Sequence, residues 1–418
     1  MAVTPMTQTP KGLRLHFGIF GRTNAGKSTL MNALAGQDVS IVSEVAGTTT
    51  DAVEKACELI PVGPVVFIDT AGIDDEQTPL GRSRVKRSMG ILEWVDVAIL
   101  VLCEARLGAY ERKVLDIARG LGTPVVAVLN KSDVTAYPGD FEEALKNQKL
   151  TVVRTDARTG EGTEELREAL VSIVLQSVEP DRAMFEGTVD KGDTVLLVTP
   201  MDTGAPKGRL ILPQVQAIRE ILDKGARAFV VREDEVARTL ALLKEPPRLV
   251  VTDSQVVARV DAEVNPEIAM TTFSIELAFT KSDLTSMARG VAALAALKSG
   301  DKVLIAETCS HNPFEDDIGR VKIPRWLRER FGEIGVDFAV GKDFPDDLSP
   351  YKAVIQCGGC MVSRKHMLAR LRWAASQGVA MTNYGVAIAF LQGALPRALG
   401  SHPEAQSAYL EAMALQKD

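Results

Sequence analysis

Apolar residues in this chain arrive in short runs, separated by longer stretches where they recur every three or four positions. The first run is Leu15–Phe20, and others lie at 64–68, 97–103, 124–129 and 151–154. Runs this short predict strands buried on both faces. The stretches between them, at about 28–35, 80–93, 109–120 and 163–176, predict helices. Such an alternation predicts a parallel sheet covered on both sides. The segment Ser177-Val-Glu-Pro180-Asp-Arg-Ala183 predicts a linker. A second α/β block begins near Gly192, with strands at 194–198, 228–231 and 248–251 and helices at 213–222 and 233–243. A third begins near Phe273 with an Ala/Leu-rich helix over about 283–298, stopped by Ser299-Gly300. Its strands are expected at 302–306, 337–340, 352–356 and 378–381. The fold class is therefore α/β, with a flexible tail at 1–11, domains at 12–176, 192–268 and 269–418, and a linker at 177–191. There is no internal repeat and no low-complexity segment.

The first strand runs into Gly21-Arg-Thr-Asn-Ala-Gly-Lys27-Ser28, and a helix follows, which is the context of a phosphate-binding loop. Backbone N–H groups of such a loop and the helix N-terminus hold phosphates. The candidate nucleotide contacts are Gly21, Asn24, Ala25, Gly26, Lys27, Ser28 and Thr29. Lys27 is expected on the β/γ-phosphates and the Ser28 hydroxyl on Mg²⁺. Three further elements follow in order. Asp69-Thr-Ala-Gly72 comes after a predicted strand, with Asp69 expected in the Mg²⁺ shell and the Gly72 N–H on the γ-phosphate. Asn130-Lys131-Ser132-Asp133 comes after another, and the Asp133 carboxylate can accept from guanine N1–H and the 2-amino group. Adenine lacks that amino donor, so a site built on this carboxylate selects guanine by up to about 10⁴-fold. Between these, Gly47-Thr-Thr-Thr-Asp51 offers Thr49 as a switch-loop Mg²⁺ ligand. Asp156-Ala157-Arg158 stands where related GTPases carry Ser-Ala-Lys, with the Ala157 N–H facing guanine O6 and Asp156 departing from the pattern. Asp202-Thr-Gly and Thr280-Lys-Ser-Asp283 imitate two of these motifs but fall out of order. The ordered set predicts a GTP/GDP site. Lys27, Thr49, Asp69 and Gly72 are the candidate catalytic residues.

Over residues 12–176 the pattern resembles the potassium-stimulated GTPases of the TrmE/Era class. The resemblance implies a K⁺ ligand at Asn24, although Thr23 stands where that class has proline. Ile73 follows the Asp-Thr-Ala-Gly motif, where Ras-like enzymes place a water-orienting glutamine, so slow intrinsic hydrolysis is expected.

A second candidate centre lies near the other end. Cys309 is followed two residues later by His311, and Cys357-Gly-Gly-Cys360 comes after a further predicted strand. Open α/β sheets bind ligands at the carboxyl ends of their strands, so the two loops are placed to converge. Three thiolates and one imidazole allow a structural Cys₃His zinc site. They equally allow a [4Fe–4S] cluster on three cysteines with a fourth position that is labile or held by His311. A radical-SAM cluster is not expected, since there is no Cys-x₃-Cys-x₂-Cys run. Cys57 and Cys103 fall in strand-like runs and read as small core residues. Five cysteines, an odd number, do not suggest a disulfide framework. Arg320, Lys322 and Arg325 sit among apolar residues just after Cys309, either as a solvated amphipathic face or as a basic rim for an anionic cluster or acidic partner. His366 and His402 belong to no constellation.

Composition narrows the partners. A chain of 418 residues with 46% hydrophobic and 25% charged residues is globular and multidomain. Its net charge of −7 argues against a nucleic-acid binder. No apolar run approaches the roughly 18 residues of a membrane span. Residues 1–11 lack the features of a signal peptide, so a cytoplasmic protein is expected. The block at 192–268 shows no catalytic cluster and reads as a packing or dimerisation domain.

Taken along nearly its full length, the chain resembles the HydF family, GTPases that mature [FeFe]-hydrogenase. The resemblance rests on the GTPase motifs, Cys309-Ser-His311, Asp317-Ile-Gly-Arg-Val-Lys-Ile-Pro-Arg325, Cys357-Gly-Gly-Cys360 and Thr382-Asn-Tyr-Gly-Val386. It implies a P-loop GTPase domain, a central dimerisation domain forming a homodimer, and a C-terminal domain binding a [4Fe–4S] cluster on Cys309, Cys357 and Cys360. It also implies a scaffold and carrier that receives a diiron precursor from the radical-SAM maturases HydE and HydG and delivers it to apo-[FeFe]-hydrogenase. Many family members have His directly before Cys-x-x-Cys, and this chain has Gln356, an amide and a much poorer iron ligand. The competing reading is a ribosome- or RNA-associated GTPase with a structural zinc site.

Overall fold

The apolar runs of the first part of the chain line up side by side in one six-stranded sheet. In the computed structural model, residues 9–36, 53–72, 79–178, 182–200, 210–308, 317–341 and 344–416 are described. The chain divides into two units, Met1–Pro180 and Asp181–Asp418. In the first unit the strands are β1 (Leu15–Phe20), β2 (Val53–Leu59), β3 (Gly63–Asp69), β4 (Val97–Leu102), β5 (Val125–Leu129) and β6 (Thr151–Arg154). Their order is β2-β3-β1-β4-β5-β6, parallel except for β2, which runs antiparallel to β3. The helices are α1 (Lys27–Ala35), α2 (Pro79–Leu92), α3 (Ala109–Leu121), α4 (Gly139–Asn147) and α5 (Thr163–Ser177).

Alternation along the central strands feeds two cores. Phe17, Ile19, Val65 and Phe67 pack with Leu30 of α1 and Leu166 and Leu170 of α5. Phe20, Ile68, Leu100 and Leu129 face the other way, onto Leu92, Val114 and Leu145. Two elements escaped the apolar pattern. β2 is an edge strand in which only Cys57 and Leu59 are buried, so most of its positions are polar or half-exposed. α4 fully buries Leu145 alone, with Phe141 half-buried one turn before it.

The second unit holds two four-stranded parallel sheets. One has the order β10-β9-β7-β8, with β7 (Thr194–Val198), β8 (Arg227–Val231), β9 (Leu249–Thr252) and β10 (Ala269–Thr272). Around it lie α6 (Leu212–Asp223), α7 (Val236–Leu242), α8 (Val257–Glu263) and α9 (Phe273–Lys281). The boundary expected at residue 268 falls just before β10, which pairs with β9 along Ala269–Thr272. Only four residues long, β10 opens straight into α9, so its apolar content merges with the helix that follows.

The other sheet has the order β12-β11-β13-β14, with β11 (Lys302–Glu307), β12 (Gly335–Val340), β13 (Ala353–Gln356) and β14 (Ala380–Asn383). Its helices are α10 (Leu284–Ala295), α11 (Ile323–Phe331), α12 (Arg364–Ser376), α13 (Tyr384–Leu391), α14 (Leu395–Ala398) and α15 (Pro403–Ala414). The two sheets are tied by Arg397 of α14. Its guanidinium donates to the carbonyls of Asp261, Val264, Asn265 and Ile268 and to the Asp261 carboxylate, at 2.5–3.2 Å. No helix among the described residues is long and apolar enough to cross a membrane.

Gly290 marks a close approach of α10 to β14. A Cβ there would lie 2.2 Å from the Met381 carbonyl oxygen on β14. Backbone cannot yield as a side chain can, so Gly290→Ala is expected to destabilise the second unit by about 1–3 kcal/mol. The check is a lower urea midpoint for the fluorescence of Trp326 and Trp373, measured in a Trp94→Phe background.

Candidate functional site

The phosphate loop leaves the carboxyl end of β1 in the centre of its sheet. A Cβ on Gly21 would meet the Val101 carbonyl at 2.6 Å, and one on Gly26 the Asn130 amide nitrogen at 2.3 Å, so both positions accept only glycine. Asn24 is exposed and has φ 60°, a left-handed conformation that asparagine tolerates. Lys27, the first residue of α1, is buried and donates from Nζ to the Arg22 carbonyl at 2.9 Å, closing the loop on itself. Ser28 Oγ donates to Asp69 Oδ2, while Asp69 Oδ1 is buried with no hydrogen-bond partner. Burial pushes the Asp69 carboxyl above its ordinary range, against the Ser28 bond and the nearby Lys27 charge. A half-buried carboxylate with one buried, unpartnered oxygen beside a serine hydroxyl is a donor set that fits Mg²⁺. Gly72 lies against this loop, since a Cβ there would fall 2.7 Å from both Cα and Oγ1 of Thr23 and 2.9 Å from Lys27 Nζ. Ala25 is buried, and Thr29 is exposed on the first turn of α1. Thr49 and Ile73 lie outside the described residues.

Asn130 joins the two ends of the site. Its Nδ2 donates to the Ala25 carbonyl (2.8 Å), and its Oδ1 accepts from Thr155 Oγ1 (3.0 Å) and the Ala157 N–H (3.1 Å). Lys131 turns the chain at φ 59°, and the Ser132 N–H bonds the Thr155 carbonyl at 3.1 Å. Asp133 is exposed and pairs with Arg158 at 3.2 Å. Asp156 accepts from the Arg158 N–H at 2.9 Å, which holds its carboxyl below the usual range. The departure from serine at 156 is thus accommodated within the turn that presents Ala157. Sequence reasoning missed Glu111. Its buried carboxylate accepts from Arg22 Nε (2.8 Å) and from the Gly108 N–H (2.8 Å), fixing the phosphate loop to the start of α3. The two residues are 89 positions apart, and no spacing rule connects them.

In the second unit β11 and β13 are neighbours, so the loops that follow them leave the same sheet edge. Cys309 and His311 lie outside the described residues, but Thr308 precedes them and reaches Cys357. The Thr308 N–H donates to Cys357 Sγ at 3.2 Å, and Thr308 Oγ1 lies 3.3 Å from the same sulfur. Gln356 Nε2 donates to it as well, at 3.3 Å. A sulfur ringed by N–H donors fits a thiolate that binds metal. Gly359 turns the loop at φ +65°, and a Cβ there would meet Met367 Sδ at 2.5 Å. Cys360 is half-buried against the cluster that contains Phe273 and Leu277. Among the described residues no group of three or more His, Cys, Asp or Glu stands ready to hold a metal.

Residues 184–282 match the model of the hydrogen maturase F dimerization domain, and residues 285–401 that of the hydrogen maturase F tetramerization domain. Together these span more than half of the chain. The chain belongs to the hydrogen maturase F family. Residues 16–131 of this maturase match the model described as a 50S ribosome-binding GTPase. The same region is similar to the tRNA modification GTPase MnmE of Methylococcus capsulatus, at 36% identity over 154 residues, 37% of this chain and 33% of that protein. It is also similar to the GTPase Era of Crocosphaera subtropica, at 33% identity over 169 residues, 39% of this chain and 54% of that protein. The chain thus spans about a third of the length of the MnmE relatives it matches. Among solved structures, Era of Aquifex aeolicus aligns at 23% identity and TM-score 0.32, covering 52% of this chain and 91% of its own. The family match over residues 16–131 gives the maturase a GTPase domain, and with it a GTP/GDP and Mg²⁺ site.

The remaining motifs of the maturase have structural work as well. Arg320 turns inward, pairing with the buried Glu307 at 2.9 Å and lying over Phe338, and Lys322 donates to Gln255 Oε1. Arg325 pairs with Glu329 one turn along α11. The charge of Arg320 is thus offset within the fold by Glu307. Asn383 caps α13 by accepting from the Val386 N–H at 2.9 Å. Gly385 lets that helix approach α9, since a Cβ there would lie 2.4 Å from Ser274 Cβ. His402 is buried against Glu276 at 2.8 Å, and His366 is half-buried on α12. Asp283, from the misleading Thr-Lys-Ser-Asp motif, caps α10. Asp202 lies outside the described residues.

Asn130→Ala removes all three side-chain bonds that join the loop ends. Stranding buried partners costs about 1–3 kcal/mol, so GTP affinity is expected to fall roughly 10- to 100-fold. Equilibrium binding of a fluorescent GTP analogue checks this.

Proposed function

We propose that this maturase is the scaffold and carrier of hydrogenase cofactor assembly, with GTP turnover gating its exchange of partners. The observation that carries the reading is the bonding of Thr308, the residue before Cys309, to the sulfur of Cys357. It brings the backbone of one cysteine loop to the thiol of the other, in a chain whose other unit is a GTPase.

In this reading Lys27 pairs with β/γ-phosphate oxygens, and Ser28, Asp69 and Thr49 hold Mg²⁺, which neutralises charge on the phosphates. The N–H of Gly72 takes the γ-phosphate. Asn130, Lys131, Asp133 and Ala157 surround the guanine, which requires Asp133 to exchange its Arg158 partner for the base. Asn24 holds K⁺, whose charge stands in for an arginine finger. Hydrolysis is slow and K⁺-stimulated. Cys309, Cys357 and Cys360 hold a [4Fe–4S] cluster, which supplies an open iron position for a ligand or cargo. The cargo is a diiron precursor, received from HydE and HydG and passed to apo-[FeFe]-hydrogenase in the cytoplasm by an oligomer of this chain. His311 is the candidate fourth ligand. Switch loops that order around the γ-phosphate are the proposed gate.

Metal content and reduced-state EPR of anaerobically reconstituted protein test the cluster. About four irons per chain and a [4Fe–4S]⁺ signal are expected, lost in Cys357→Ala. Stoichiometric zinc without iron would overturn the reading in favour of a GTPase with a structural metal. For the potassium site, Asn24→Ala is expected to turn over GTP at one rate in K⁺ and Na⁺, while the wild type is faster in K⁺. Equal stimulation in both proteins would remove Asn24 from the site.

A further inference from the structure

A guanidinium taken out of water needs acceptors on its donors and an anion within reach. Arg370 of α12 is 5% exposed. Its Nη1 donates to Gln356 Oε1 at 3.0 Å, its Nη2 donates to the Gly341 carbonyl, and its carbon lies over the Phe344 ring, 4.8 Å from the centroid. Nε is buried with no partner. Among the described residues no carboxylate pairs with it. Burial lowers the tendency of this side chain to stay charged, and the acid that opposes the effect is Cys357.

Gln356 stands between the cation and the sulfur and is wholly buried. A guanidinium only donates, so the amide must turn its oxygen toward Arg370. Its NH₂ is then left to donate to the Ala306 carbonyl at 3.0 Å and to Cys357 Sγ at 3.3 Å. Both donor positions are used, and neither end can be reversed without stranding a buried group. A carboxylate in place of the amide would face the sulfur with acceptors alone.

We propose that Arg370 and Gln356 are positioning residues for the sulfur of Cys357, the buried cation fixing the amide so that it donates to a cluster-bound thiolate and raises the cluster's reduction potential. The inference rests on the cluster reading of Cys309, Cys357 and Cys360. Its physical basis is that hydrogen bonds and positive charge at cluster sulfurs stabilise the reduced, more negative cluster. Glutamine at 356 thus has a task of its own: it orients and polarises a ligand without competing for iron.

The test is a redox titration of the reconstituted chain, followed by the EPR signal of the reduced cluster, with iron and sulfide counted and GTP binding by the first unit as a control for folding. Gln356→Leu and Arg370→Met are each expected to move the midpoint to more negative potential. Gln356→Glu should move it furthest. In the Arg370→Met background, Gln356→Leu should add less than it does alone, since the amide is no longer fixed. Arg370→Lys, which keeps the charge, should recover part of the shift. A merely structural pairing predicts that Gln356→Leu destabilises the fold but leaves the midpoint at the wild-type potential. If variants hold the cluster at wild-type content and titrate at the wild-type potential, the relay is overturned and the cluster reading stands. If Gln356→Glu takes up no iron, Gln356→Leu and Arg370→Lys decide by the same criterion. A wild-type chain that binds no iron after reconstitution overturns the cluster reading itself.

Discussion

A parallel sheet can be built only if the chain crosses back after every strand, and this constraint governs both units. Because parallel strands end on the same edge, the loops that follow them gather there. In the first unit the phosphate loop, the Asp69–Gly72 segment, the Asn130 motif and the Ala157 turn all leave β1, β3, β5 and β6 on that edge. In the second, Thr308 and Cys357 leave neighbouring strands in the same way. Residues distant in sequence become adjacent through topology alone. Side-chain bonds then set the fine geometry.

Those bonds share a pattern. At each centre a buried polar side chain with more than one donor or acceptor spans two or three loops. Asn130 does so beside the phosphate loop, Glu111 between that loop and α3, and Gln356 between α12 and the cysteine loop. Each is buried and bonded at both ends, so its orientation is set by its partners rather than by its own rotamer preference.

What could be read from the chain follows from this division. Strands buried on both faces announce themselves as apolar runs, and β1, β4, β6, β7 and β11 lie close to where the pattern places them. The ordered nucleotide motifs are legible because each pairs a fixed chemical task with a local spacing. Edge strand β2 and helix α4 are less legible, because β2 buries only Cys57 and Leu59 and α4 only Leu145. β10 is hidden by its brevity and its direct passage into α9. Arg22–Glu111 and Gln356–Arg370 are invisible for another reason. Their partners are chosen by folding, and an isolated Glu or Arg in a helix looks like any solvated charge.

Arg397 has a consequence that reaches past its own bonds. One side chain on α14 satisfies carbonyls across the whole connection between α8 and β10, so that connection cannot loosen while α14 stays docked. Opening either layer of the second unit breaks the same set of Arg397 hydrogen bonds, which couples the opening of one sheet to that of the other. In amide exchange, the slowest hydrogens of β9 and of β13 would belong to one kinetic class. Within the second unit, the sheet that carries the cysteine loop is in this sense held by the sheet beside it.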